Sequence, residues 1–356
     1  MKLFFKFFVI LFFISSVPAV YAQNSLNQTV SNLSGDAANA YLGPAVSGFG
    51  ADINSNWFHE IVQPKALSLD IELSFVGMGT FFNNNNKTFS STGQFRFDLS
   101  QATALTAGVG KAYQQGVINE IIDQSFQVGI SGPTIVGSKN QNVNITFPGY
   151  TFTYNNAKVI IPQQTIALSV DGYLNNLSIL PVAVPQLSVG TLLGTSLTLR
   201  YLPNTKLNSN LDNINYFGVG IQHNPALWLG IPMPVDLSIG LVGQSLNVGS
   251  ILKATGESAS LNVGKTFGFD IFSVAPYASI AVQKSTIKVN YSVTYNSYIN
   301  SNYTYETDNI SFNENGANTV SFTLGTNLRL GPVNLNVDYS FSQFNTLSAG
   351  LGFIIF

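Results

Sequence analysis

The chain has 356 residues and a formal net charge of −2; only 9% of it is charged, while aromatics reach 12% with 27 Phe and 15 Tyr. Near-neutrality lacks the basic footprint of a nucleic-acid partner, and a charged fraction well below the roughly 25% of soluble domains implies a surface facing something other than water. The absence of cysteine excludes disulfides, Cys-based metal sites and a lipid-modified N-terminal cysteine.

The first segment, MKLFFKFFVILFFISSVPAVYAQ, carries Lys2 and Lys6 ahead of an apolar run from Phe7 to Ile14. Val20 and Ala22 occupy the −3 and −1 positions of a cut before Gln23. This layout predicts a cleaved secretory signal over residues 1–22. The run is shorter than the ~20 residues of a bilayer-spanning helix, and no later stretch approaches that length.

Residues 23–65 do not alternate. Asp36 is positioned as an N-cap, with a short helix from Ala37 to Leu42 ended by Gly43-Pro44. Phe49 and the pair Trp57-Phe58 follow. The segment is expected to pack in a lumen mouth as a plug or gate, built around Gly43, Pro44, Phe49, Trp57 and Phe58, or to cover one end as a cap.

From residue 66 the period changes to two. ALSLDIELSF sets Leu67, Leu69, Ile71, Leu73 and Phe75 against Ser68, Asp70, Glu72 and Ser74. QFRFDL opposes Phe95, Phe97 and Leu99 to Gln94, Arg96 and Asp98, and TSLTLRYL opposes Leu197, Leu199 and Tyr201 to Ser196, Thr198 and Arg200. Between them, residues 100–178 are irregular, apart from YQQGVINEIIDQSF, where Val117, Ile118, Ile121 and Ile122 take helical spacing. Pro225, Pro232 and Pro234 interrupt the next stretch, with ALWLG read as one helical turn that holds Trp228 at a membrane interface. Alternation then persists through VDLSIGLVG, STIKVNYSVTY, VNLNVDYSFSQF and TLSAGLGFIIF.

Strands that are apolar on one face, with Ser, Thr, Asn and Gly on the other, suit a barrel with a lipid-facing exterior. A soluble sandwich would show Lys and Glu on its wet face. The predicted fold is therefore an all-β, transmembrane antiparallel β-barrel of about 12 strands (12–14, even by the bacterial rule) over 66–356. Turns near Gly194, Gly331 and Asn345 are assigned to one rim, and longer loops, including 296–318, to the other. Asp70, Glu72, Arg96, Asp98 and Arg200 fall on predicted lumen-lining faces, as a charged constriction or as a salt-bridged filling. The two histidines, His59 and His223, have no catalytic partners at a recognisable spacing, and no metal or cofactor motif occurs. No enzyme activity, metal or cofactor is expected.

The segments AYLGPAVSGFGADINSNWF, SGPTIVGS, LSVGTLLGTSLTLRYLP and HNPALWLGIPMPVDLSIG resemble a family of uncharacterised outer-membrane barrels from Bacteroidota and relatives, over roughly residues 36–356. Members carry an acidic residue after the position of His223, followed by a polar helical turn; Asn224, Pro225 and Ala226 depart from that pattern. More loosely, an N-terminal plug in a mid-sized barrel is similar in architecture to long-chain fatty-acid channels. Phe353 and Phe356 resemble the terminal aromatic signal of bacterial outer-membrane proteins, which implies the barrel-assembly machinery as a partner alongside outer-membrane lipid. Two functions are then expected. One is passive, gated passage of a small apolar or amphipathic solute across the outer membrane of a Gram-negative bacterium. The other is a closed structural or docking barrel whose outer loops bind a partner or surface layer.

Overall fold

The structure, a computed structural model, describes residue 33 and residues 35–154, 157–206, 213–229, 233–250, 252–269, 271–299 and 302–355. The predicted signal at 1–22 and Phe356 lie outside the described residues. The first element is a single helix, α1 (Gly35–Asn54), which runs straight through Pro44. The sequence predicts a break there. A proline here removes one helix hydrogen bond and crowds the carbonyl four residues back; burial of α1 along most of its length outweighs that cost, and Gly43, with no Cβ, relieves the smaller clash with the preceding residue. Asp36 lies in the first turn, where its charge favours the helix dipole. Its carboxylate accepts from the backbone N–H of Gln94 at 3.3 Å, rather than capping α1.

Strand β1 (Leu67–Phe81) leads into an insert. The insert holds β2 (Thr88–Arg96), α2 (Leu99–Leu105), α3 (Lys111–Ile122), β3 (Ser125–Pro133), β4 (Asn144–Phe147), β5 (Tyr150–Tyr154), β6 (Ala157–Ile161) and β7 (Gln164–Ala167). Strands β2-β3-β4-β7 form one sheet and β5-β6 another. The predicted helix materialises as α3, with Val117, Ile118, Ile121 and Ile122 buried. They share a core with Phe95, Phe97, Phe126 and Phe147, whose rings sit edge to face at centroid distances such as 5.2 Å for Phe126–Phe147.

After the insert come β8 (Ile179–Leu192), β9 (Thr195–Lys206), β10 (Asn213–His223), the turn α4 (Ala226–Leu229), β11 (Asp236–Val248), β12 (Leu252–Gly264) and β13 (Phe267–Phe269). The chain ends with β14 (Phe272–Ile299), β15 (Asn302–Asn315), β16 (Val320–Leu330), β17 (Val333–Phe341) and β18 (Thr346–Ile354). The ring runs β1-β8-β9-β10-β11-β12-β14-β16-β17-β18 and closes on β1 through the register Glu72↔Ile354 to Thr80↔Thr346, all pairs antiparallel. Ten strands close the barrel, not twelve.

Two features depart from the sequence reading, the first of them lowering the number. The alternating stretch QFRFDL belongs to β2 in the insert's own sheet, and a period of two reports a half-buried strand without saying in which sheet. The region 296–318, read as a loop, is mostly strand: β14 continues past its last β12 partner, Val289, and pairs with β15 alone to Ile299. That hairpin projects roughly 30 Å from the ring at about 3.3 Å per residue.

One end of the barrel, here the lower, holds the start of β1, the end of β18, α4 and the turns β8–β9 and β16–β17. In the two-residue β8–β9 turn Leu193 and Gly194 both have positive φ, the conformation a type I′ hairpin turn requires. The upper end holds the insert, the long hairpin and the β17–β18 turn. Asn345 is thus at the opposite rim from Gly194 and Gly331, not beside them.

Candidate functional site

The residues before β1 pass down the inside of the ring, and their contacts fix the route. Near the start of α1, the Tyr41 carbonyl accepts from Ile135 N at 3.0 Å and its hydroxyl donates to the Asp171 carbonyl at 2.8 Å, both in the insert. At the upper rim, Thr80 Oγ1 bonds the Gly48 carbonyl at 3.2 Å, Asp52 Oδ1 at 2.7 Å and Thr346 Oγ1 at 2.9 Å. Burial pushes the Asp52 carboxyl well above the usual carboxylate range, and the Thr80 hydrogen bonds offset this only in part. Lower down, Gln222 Oε1 accepts from Val62 N at 3.1 Å and Asn224 Nδ2 donates to the Val62 carbonyl at 2.8 Å. At the bottom turn, Leu193 N donates to the Ala66 carbonyl at 2.8 Å and Gly194 N to that of Lys65 at 3.0 Å.

Arg200 is the central fixture. It is fully buried, and β9 points it at the C-terminal end of α1. Its Nη1 donates to the Ser55 carbonyl at 3.0 Å, Nη2 to that of Asn56 at 2.5 Å and Nε to Gln186 Oε1 at 2.8 Å. The guanidinium also lies 4.2 Å from the centroid of the Trp57 ring. A helix end presents unpaired carbonyls and partial negative charge, which a cation satisfies. Asn56 adopts φ 51°, the left-handed step with which Asn often ends a helix, and this turns the chain toward the lower lumen. Below it, His59 Nε2 lies 3.2 Å from Glu72 Oε1, and Asn334 Nδ2 holds Glu72 Oε2 at 2.8 Å.

The wall is shaped to this segment. Gly218 and Gly220 on β10 lie against Trp57, and Gly220 and Gly240 lie against Phe58; a Cβ at any of the three would overlap an aromatic ring. Much of the remaining inner face is Ser, Thr and Asn. Between Asn54–Phe58 and strands β11, β12, β14, β16 and β17 a polar cavity of about 50 Å³ remains, lined by Ser260, Asn262, Ser279, Ser321, Thr323 and Asp338 among others. It has room for a few waters at roughly 15 Å³ each. The outer face is the reverse. Leu197, Phe217, Ile239, Leu241, Leu261, Ile280, Phe322, Val337 and Phe353 all project outward, with Phe217 and Phe353 each 54% exposed.

Of the residues the sequence places in the lumen, Glu72 and Arg200 are buried inside the ring. Asp70 shares their side of the pleat but is exposed near the lower rim. Arg96 and Asp98 are not in the barrel. Arg96 Nε donates to the Ile122 carbonyl at 2.8 Å, and Asp98 caps α2 by accepting from Gln101 N at 2.8 Å. Their alternation is that of β2, a strand of the insert. Phe49 is half-buried against the barrel core, Trp57 is buried, Phe58 is partly so, and Trp228 is 64% exposed on α4. His223 is distant in function from His59: its Nδ1 meets Thr195 Oγ1 at 2.9 Å near the lower turn. Sequence reasoning missed Gln222 and Asn224, the amides that hold Val62, and Gln186 and Asn334, which hold Arg200 and Glu72. Their inward parity was the available signal.

The sequence matches the family of unknown function DUF6588 over residues 1–355. The chain belongs to this family. No curated protein matches it in sequence. Among solved structures, this DUF6588 member is similar to the transport unit of the autotransporter AIDA-I from Escherichia coli (11% identity, 94% of this chain and 100% of that one, TM-score 0.23). It is also similar to the outer membrane protease OmpT from Escherichia coli (8%, 82% and 100%, TM-score 0.25) and to the β domain of the Bordetella autotransporter BrkA (8%, 81% and 100%, TM-score 0.21). Scores of this size do not superpose one barrel on another strand by strand, so the functional reading rests on the geometry above.

Proposed function

We propose that the chain is an outer-membrane channel whose lumen is closed at rest by its own residues 35–66, and that the solute it passes is small and amphipathic. The membrane reading is supported by the continuous apolar exterior on a closed ring, since a closed barrel satisfies its backbone internally in lipid. By the rule that short turns lie in the periplasm, the lower end faces the periplasm and the insert faces outward. Export by the predicted signal agrees with this.

One observation carries the channel reading: the lumen is filled by the segment rather than by the wall. About eight strands give an interior that side chains alone can fill; ten give more, and here the wall opposite Trp57 and Phe58 is glycine. Removing the segment leaves a bore whose lower part is lined by Gly, Ser, Thr and Asn and whose upper part adds Val76, Met78, Val184, Tyr216, Val242 and Leu246. That mixed lining favours an amphipathic solute, one of the two classes that the sequence suggests.

The docking reading is favoured by a different observation, the hydrogen bonds that tie residues 55–66 to β9 and β10 on one side of the ring and, through Asn56 and Asn336, to β17 on the other. Conductance in planar bilayers separates the two. Under the channel reading the intact protein is mostly silent and gates rarely, while a variant lacking residues 24–63 conducts steadily. Silence from both, with barrel circular dichroism retained, removes the channel reading in favour of docking.

A further inference from the structure

The route of residues 35–66 has a consequence for topology. β1 starts at the lower end, yet the chain reaches it from the upper end. Asp36 lies beside Gly93 and bonds Gln94 N in the insert, and Gly35 lies against Ile310 of the projecting hairpin. Tyr41 is still bonded to the insert, Asp52 is at the upper rim, His59 is inside the ring, and Lys65 and Ala66 are at the bottom turn. The descent is monotonic, and the segment crosses the whole barrel once.

We infer that the N-terminal end of α1, at Gly35 and Asp36, is presented on the same side of the membrane as the insert 82–178, so that the barrel carries the first end of this helix across the membrane. A chain delivered by a signal peptide reaches the periplasm first. Its N-terminal residues must then pass into the forming lumen and emerge at the far end, with β1 to β18 closing around residues 35–66. The composition of the leading stretch suits that passage: Gln23 to Ser34 reads QNSLNQTVSNLS, without one charged residue. The charges that still have to pass are the α-amino group that cleavage leaves on Gln23 and the Asp36 carboxylate.

The outward direction rests on the membrane orientation proposed above; the shared side does not. The test uses the full chain, which has no native cysteine. Single variants Asp36→Cys and Asn27→Cys are compared with Lys139→Cys, exposed in the insert, and Lys265→Cys, exposed at the lower end. Each is expressed in Gram-negative cells and treated with a membrane-impermeant maleimide before and after permeabilisation. The expected result is that D36C, N27C and K139C react equally in intact and permeabilised cells, while K265C reacts only after permeabilisation. If D36C and N27C behave like K265C, or react only after unfolding, the inference is overturned and the orientation stands. If K139C is the protected site and K265C the reactive one, the orientation falls, and the inference survives only if D36C and N27C follow K139C. Asp36 makes one peripheral hydrogen bond, so D36C has little effect on folding, and N27C provides an independent second position.

Discussion

Arg200→Met removes the fixture at the centre of the lumen while keeping its bulk. Two of the lost interactions are charged hydrogen bonds to the Ser55 and Asn56 carbonyls, at 3.0 and 2.5 Å. Such bonds contribute about 1.5–3 kcal/mol each, and a desolvated cation over an indole adds up to ~2 kcal/mol. These do not simply add, because the arginine also loses its own hydration when buried. The charge leaves with the side chain, so what is lost is the two charged hydrogen bonds, roughly 3–6 kcal/mol together, and two buried carbonyls remain without donors. Taking the low end, ~3 kcal/mol shifts the ratio of open to closed segment by about two orders of magnitude at 1.4 kcal/mol per tenfold. Barrel strand pairing is untouched, since β9 keeps its backbone partners on β8 and β10. Single-channel open probability should therefore rise about a hundredfold over the intact protein. An open probability unchanged in R200M, in protein that retains its folded, heat-modifiable mobility, would refute the idea that these contacts hold the lumen shut.

Three further outcomes follow from other parts of the structure. Gly240→Val, placed where a Cβ meets Phe58, should loosen the segment in the full chain; in the variant lacking residues 24–63 the same change should lower conductance, since the added side chain then stands in the bore. Asp52→Asn should abolish a pH dependence of gating. The carboxyl of Asp52 is raised in the folded state above its value of 3.8, so its contribution is full below that pH and fades as the pH rises through the higher folded value. Intact protein should open more often in alkali, and D52N should not; equal pH profiles would remove Asp52 from the mechanism. Leu241→Arg, outward on β11, should cost roughly 2–4 kcal/mol in folding into bilayers if it faces the membrane midplane. An equilibrium folding titration showing no loss would count against a lipid-facing exterior.

The barrel was legible because its signal is local. Outward Ile239 and Leu241 with inward Ser238 is a two-residue period that needs no partner to read, and the same holds for Val337 against Asn336 and Asp338. What stayed hidden depends on pairing. The strand Thr88–Arg96 alternates as barrel strands do, yet its neighbour is Ser125–Pro133, and no local pattern names a neighbour. The continuous helix through Pro44 was hidden for a different reason: proline is a breaker by local rules, and the packing of α1 against the insert and the barrel wall that overrides it leaves no local pattern. Amides such as Gln222 and Asn224 carry no motif, because their work is to bond the backbone of a segment more than 150 residues away in sequence.

The glycines connect these observations. In a barrel that fills its own interior, inward positions on β10 and β11 would carry side chains large enough to meet across the bore. Here Gly218, Gly220 and Gly240 leave space that Trp57 and Phe58 occupy, so wall and segment are two halves of one packing arrangement. The same pairing governs Arg200, whose buried charge is satisfied by carbonyls that exist only at the end of α1. Withdrawing the segment would leave that charge facing a polar, water-accessible bore rather than a dry core, which is a tolerable end state for an arginine. A wall of this composition is stable with the segment in place and remains compatible with water when it is gone, and those are the two states a gated lumen has to accommodate.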